Sequence, residues 1–334
     1  MVVSVEKMAV FSFDKTKKLD AVSLGEPLLE FNARGIGSLR NIKTFDRGWG
    51  GDTSNFIIAF SRLGGYGGYL TRVGNDEFGY CFLELWEKER IDVSRVIIEN
   101  GGFTGIYFIS RKNGGEHDFT YYRKDSAASH FSVKDLDIDY IRNAKIFHSS
   151  GISQAISASC NEAVLYAMKK AKESGVIVSY DPNVRLKLWP LEKAQDAISK
   201  AIGLSDIVMP SLEDLRLLAN TESIEEGVKK LIELGAKLIV VKLGDKGCFI
   251  KFKNEEHLIE GFKTKVVDTT GAGDAFDAAI NIGLLEGWSI KKVAVFANAT
   301  AALKLKGRGA VKALPFRKDV ERFLDKHLKK WRDF

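Results

Sequence analysis

The chain of 334 residues predicts an α/β fold: a doubly wound, mostly parallel sheet with helices on both faces and a small separate β-sheet. Two observations predict it. Short apolar runs alternate with stretches of helical periodicity over most of the chain, the pattern of repeated strand–helix–strand units. Two stretches, 32–47 and 102–130, break that rhythm with β-formers and turns, so they are assigned to a separate small sheet inserted in a domain spanning 20–334. Residues 1–19 read as a charged leader.

In chain order, the run 21–31 alternates well enough to be a first strand. Gly48-Trp49-Gly50-Gly51-Asp52-Thr53-Ser54-Asn55 is a glycine turn opening a helix, because Phe56, Ile57, Ala59, Phe60 and Leu63 follow at helical spacing. A hairpin in the small sheet pairs 104–111 with 116–123 through the turn Lys112-Asn113-Gly114-Gly115. Further strands are expected at 145–148, 176–180, 207–209, 238–243 and 248–252, and helices at 161–174, 191–202, 212–219 and 224–234. Ala275, Phe276, Ala279, Ile280 and Leu284 mark another helix. Val320, Phe323, Leu324, Leu328 and Trp331 give 317–332 a helical apolar stripe with a solvated opposite face. Ligands belong at the carboxyl ends of the parallel strands.

An apolar fraction of 45% and a charged fraction of 28% exclude disordered and fibrous classes. No apolar run reaches membrane-spanning length and the first residues offer no convincing cleavage site, so a cytoplasmic protein without a membrane partner is expected. Cys81, Cys160 and Cys248 are odd in number and far apart, which argues against disulfides and predicts three buried thiols. The five histidines lack metal-ligand spacing, and His117 and His130 read as surface residues. The net charge of +6 is interleaved with acids and accompanied by no nucleic-acid module, so it fits a nucleotide and an anionic small molecule better than nucleic acid.

Asp268-Thr269-Thr270-Gly271-Ala272-Gly273-Asp274-Ala275-Phe276 carries the most chemistry. Gly271 and Gly273 clear side chains from a helix start, where unpaired amides attract a phosphate or a developing oxyanion. Asp274 then stands where a substrate hydroxyl could lose its proton, a general-base role suited to phosphoryl transfer. A plain turn with an acidic helix cap would use the same residue types.

The unbroken string resembles the signature of the ribokinase-like (PfkB-type) carbohydrate kinases. The earlier Gly-Gly-x-x-x-Asn run, with Leu63-Gly64-Gly65 and Gly74-Asn75-Asp76-Glu77-Phe78-Gly79, resembles that family's amino-terminal, sugar-contacting signature. The resemblance implies an ATP-dependent sugar kinase using Mg2+, with Asp274 as base and Gly271, Ala272 and Gly273 as the anion hole. It implies sugar contacts from Gly50, Gly51, Asp52 and Asn55, and a lid that also serves as the surface of a homo-oligomer. On the nucleotide side it implies Lys242, Gly244, Gly247, Thr270, Gly271, Gly273 and Asn298. The family's Asn-x-x-Glu near magnesium is Pro210-Ser211-Leu212-Glu213 here, so the Asn is absent and Glu213 is left to act through water.

Within the family the finer resemblance is to 2-keto-3-deoxygluconate kinases. It rests on Gly-Gly-Asp-Thr, on Tyr121-Tyr122-Arg123, and on Asp181-Pro182-Asn183-Val184-Arg185-Leu186-Lys187-Leu188-Trp189. Two guanidinium groups, Arg123 and Arg185, could bind a sugar carboxylate by forked hydrogen bonds, with Tyr107 and Tyr121 as hydroxyl donors. Asp181 and Asn183 are expected to hold the turn or a magnesium-bound water. A surface pair of Arg123 with Asp125 and a phosphate clamp by Arg185 are the competing readings. A neutral-sugar kinase of fructose or ribose type, a nucleoside kinase, and a non-reacting sugar or nucleotide sensor are the competing functions.

Overall fold

The computed structural model describes residues 10–111 and 117–334. The expected hairpin turn, Lys112 to Gly115, and residues 1–9 of the leader lie outside the described residues. Elements in the first half are β1 (Leu19–Leu24), β2 (Leu28–Ala33), β3 (Phe45–Gly50), α1 (Asp52–Arg62), β4 (Gly67–Gly74), α2 (Glu77–Lys88), β5 (Val96–Glu99), β6 (Ile106–Arg111) and β7 (His117–Tyr122). Then come α3 (Ile138–Arg142), β8 (Ala144–Ser150), α4 (Gly151–Ala155), α5 (Ala158–Glu173), β9 (Ile177–Asp181), α6 (Leu191–Leu204) and β10 (Ile207–Val208). The chain closes with α7 (Leu212–Ala219), α8 (Ile224–Leu234), β11 (Leu238–Lys242), β12 (Cys248–Phe252), β13 (Glu255–Ile259), α9 (Ala272–Leu285), α10 (Ile290–Lys304) and α11 (Arg317–His327).

The main sheet runs β13-β12-β11-β10-β9-β8-β1-β4-β5, parallel from β11 to β5 and antiparallel at the β11-β12-β13 edge. Parallel strands need covered faces, and both faces are covered. Phe56, Phe60, Ile280, Val293 and Phe296 of α1, α9 and α10 fill one side, and Ala163, Met168, Ile198 and Leu231 of α5, α6 and α8 fill the other.

The small sheet runs β3-β2-β6-β7. Its strands alternate faces. Glu30, Tyr107, Tyr121 and Gly48 share one face, whereas Phe31, Phe108 and Arg47 share the other.

The single strand expected over 21–31 is two strands in two sheets. Gly25, Glu26 and Pro27 separate them: Pro27 has no N–H for a ladder, and a side chain on Gly25 would collide with Thr53 and Ser153. The first part of the small sheet, expected over 32–47, therefore runs from Leu28 to Gly50, and β6 and β7 complete it. The closing helix ends at His327, and Trp331 is buried from a short 3-10 turn instead. Cys81 is only partly buried, facing the Arg47 guanidinium, unlike the buried Cys160 and Cys248.

Candidate active site

Three segments distant in sequence meet at the carboxyl edge of the main sheet: the turn after β3, the end of β9, and the start of α9. Each is built for tight approach. Gly51 caps α1 at φ 97°, and a Cβ there would overlap the Glu26 carbonyl. Gly271 caps α9 at φ 81° with Ala310 packed 3.3 Å from where its Cβ would stand. Both positions require the left-handed conformation that glycine adopts at little cost.

Asp274 lies half-buried in the first turn of α9 and accepts a 2.7 Å hydrogen bond from Asn55 Nδ2 in the first turn of α1. Burial and then the nearby Asp52 carboxylate push its pKa up to about 7, while the Asn55 bond works in the opposite direction. Of the amides expected to form an anion hole, that of Ala272 closes a turn on the Thr269 carbonyl at 3.2 Å. That of Gly273 belongs to the first helical turn, where no intrahelical acceptor exists, and the Asp274 amide, outside the expected set, shares that turn. Thr270 donates its amide to Asp268 Oδ1 at 2.9 Å, which shapes the same turn.

The Asp181-Pro182-Asn183 segment braces the glycine turn. Asn183, with φ 37°, donates to Asp52 Oδ2 at 3.2 Å. Burial first, with the Asp181 charge adding to it, raises the pKa of Asp52.

Lys242 sits beneath this arrangement, its ammonium 2.9 Å from Asp181 Oδ2 and 3.2 Å from Asp277. Burial works to lower its pKa, but the two carboxylates outweigh it and hold the ammonium above the usual lysine range. The charge of Lys242, a residue expected on the nucleotide side, is shared with two buried acids, and its Nζ stands 3.7 Å from where a Gly273 Cβ would be.

On the side of the small sheet, Arg123 pairs with Glu26, and both side chains are nearly inaccessible. Neither a free guanidinium nor the pair with Asp125 is what forms. Arg185 is exposed at the same mouth, one amino group donating to the Val184 carbonyl at 2.8 Å. Tyr121 lies under the Arg123 guanidinium, 5.8 Å from the ring centre, while Tyr122 faces away and is 60% exposed. Tyr107 is buried over Gly50, and its hydroxyl donates to Glu30 at 2.6 Å, so the hydrogen expected to reach a ligand is already committed.

The other expected nucleotide contacts are more scattered. Asn298 donates to the Ile259 and Glu260 carbonyls at 3.1 and 3.2 Å, so its amide ties α10 to the sheet edge. Gly247 serves the tight turn into β12, where any side chain would strike the Ile259 carbonyl. Gly244 borders open space and Glu213 is exposed in the first turn of α7.

Sequence reasoning missed Glu26, Glu30, Asp277 and Lys304, all buried. Glu30, Asp277 and Lys304 are charges inside otherwise apolar strand or helix runs, and that interruption was the signal available; Glu26 lies in the link between β1 and β2.

The pfkB family carbohydrate kinase model matches residues 18–317. The chain is 36% identical over 310 residues to 2-dehydro-3-deoxygluconokinase of Bacillus subtilis, covering 92% of this chain and 96% of that protein. It is also 36% identical over 315 residues to fructokinase-1 of Zea mays, covering 91% and 97%. A structure described as ribokinase II from E. coli, in complex with ATP and Mg2+, superposes with a TM-score of 0.87 at 28% identity, covering 92% of this chain and 100% of that one. Fold, glycine turns and comparisons agree, and the chain belongs to the pfkB family of carbohydrate kinases.

Proposed function

We propose that the protein transfers the terminal phosphoryl group of ATP to the primary hydroxyl of a sugar acid, 2-keto-3-deoxygluconate, yielding its 6-phosphate. The reading is carried by the convergence of Asn55 on Asp274, which brings the glycine turn of the sugar side and the helix start of the phosphate side to one point. Asp274 takes the hydroxyl proton as the oxygen attacks. The Gly273 and Asp274 amides face the charge on the transferring group, where fixed dipoles stabilise it without reorganisation. Asn55 Oδ1, buried and without a hydrogen-bond partner among the described residues, is left to accept from a sugar hydroxyl.

Among the described residues no three carboxylate, imidazole or thiol groups form a metal cage. Glu213, an exposed carboxylate in the first turn of α7, would meet through water a magnesium ion bound with the triphosphate. When bound, magnesium neutralises phosphate charge.

Arg185 is the exposed cation at the mouth and supports the sugar-acid reading. The Arg123–Glu26 pair favours a second reading, a neutral ketohexose, because it cancels one of the two charges a carboxylate would need. The two readings separate in a phosphorylation screen with ATP against 2-keto-3-deoxygluconate, gluconate, fructose and ribose. A kcat/KM for the keto-deoxy acid about tenfold or more above fructose is expected, the worth of a charge-assisted hydrogen bond. Fructose as the better substrate would move the assignment to the second reading.

The outer lid face, where Phe31 and Phe45 pack on Phe108 and Tyr122 meets its edge, is proposed as the contact with a second copy of the chain. Light scattering of Tyr122→Glu against the parent chain tests it.

A further inference from the structure

Lys304 stands out because a lysine is almost never fully buried without a partner, and this one has no exposed surface. It ends α10, and its ammonium donates to the Asp268 carbonyl at 3.0 Å. Asp268 begins the turn that leads to Gly271: its Oδ1 accepts from Thr270 and its Oδ2 accepts from Gly309 at 2.7 Å. Ala310, next to Gly309, is the residue packed on Gly271. Two loops, 268–271 and 307–310, are therefore joined through one aspartate whose backbone is held by Lys304.

The lid reaches the same point. Glu30 of β2, which takes the Tyr107 hydrogen bond from β6, lies with Oε1 3.8 Å from where a Gly309 Cβ would stand. Burial lowers the Lys304 pKa, and the Asp268, Glu30 and Asp274 carboxylates oppose that pull. Burial raises the pKa of Glu30, and Lys304 opposes it in turn. The Lys304 ammonium thus holds the Asp268 turn, while Glu30 stands against Gly309 of the loop that the same aspartate binds.

We propose that Lys304 is a positioning residue for phosphoryl transfer, a resident cation that fixes the turn carrying the first-turn amides of α9. The inference rests on the role proposed for those amides. Lys304 does not reach the reacting atoms; it holds the group that does. Misplacing such a turn by a fraction of a bond length slows transfer more than it weakens ground-state binding.

The test combines three readouts. Hydrogen exchange across 268–274 is compared between the parent chain and the double variant Glu30→Gln/Lys304→Met, which removes both charges and so avoids an uncompensated buried acid. Exchange faster by about tenfold or more is expected, and unchanged exchange would overturn the proposal whatever the substrate. For catalysis, the double variant should lose about 10²-fold in kcat with KM for ATP and sugar within about threefold. Retention of kcat within about twofold would overturn it. Third, Lys304→Ala should regain activity with ethylammonium but not with tetramethylammonium at equal ionic strength, since only the smaller cation fits a truncated lysine site. A kcat loss that ethylammonium leaves unchanged would reduce Lys304 to a packing role. Asp274→Asn assayed alongside separates the two layers, because its retained activity removes the base assignment while the exchange result still judges Lys304.

Discussion

Asn55 and Asp274, 219 residues apart in sequence, are joined by a 2.7 Å hydrogen bond from side-chain amide to carboxylate. That bond sets which oxygen of Asp274 is held and which remains for a substrate hydroxyl. Asn55→Ala should therefore cost turnover by about 10–100-fold, the worth of one hydrogen bond to a charged group, with ATP affinity little changed. Steady-state kinetics with ATP and sugar varied separately checks it.

The shifted pKa of Asp274 gives a sign that can be measured. A base works only when unprotonated, so kcat/KM should rise with pH through about 7, the value set first by burial and then by Asp52. Asp52→Asn removes the second cause, and the rising limb should move to lower pH. A limb that stays in place in the variant would detach the titration from this pair.

Gly51→Ala forces a side chain into the Glu26 carbonyl at a φ of 97°. It should destabilise the protein by about 1–3 kcal/mol or more through strain at a left-handed position. Urea unfolding of the two proteins reads the difference directly.

The two arginines should behave differently. Arg123→Met leaves Glu26 buried without its counter-charge, and breaking such a pair costs about 3–5 kcal/mol of stability. Arg185→Ala, at an exposed residue, should leave stability nearly unchanged and raise KM for a sugar acid by about tenfold while sparing a neutral sugar. Melting curves and KM values for the two sugar classes separate the roles.

The layered sheet and both glycine turns were legible because their signals are local: apolar periodicity for the strands and helices, and glycine at a helix start for the turns. The division of 21–31 into β1 and β2 was not, since alternation continues through Pro27 and only the missing N–H marks the break. Asp274 and Asn55 could be singled out from their motifs. Several of their neighbours could not, because Asp277, Lys304 and Glu30 acquire meaning only from partners tens of residues away. Arg123 shows the same limit: an arginine near Asp125 in sequence pairs with Glu26 in space.

The most direct test of the central claim is Asp274→Asn, a near-isosteric change that keeps the Asn55 neighbourhood filled but removes the proton acceptor. ATP binding by calorimetry should remain within about threefold, while phosphoryl transfer to the sugar falls by about 10²–10⁴-fold. Transfer within about tenfold of the parent chain would contradict the assignment of Asp274 as the base.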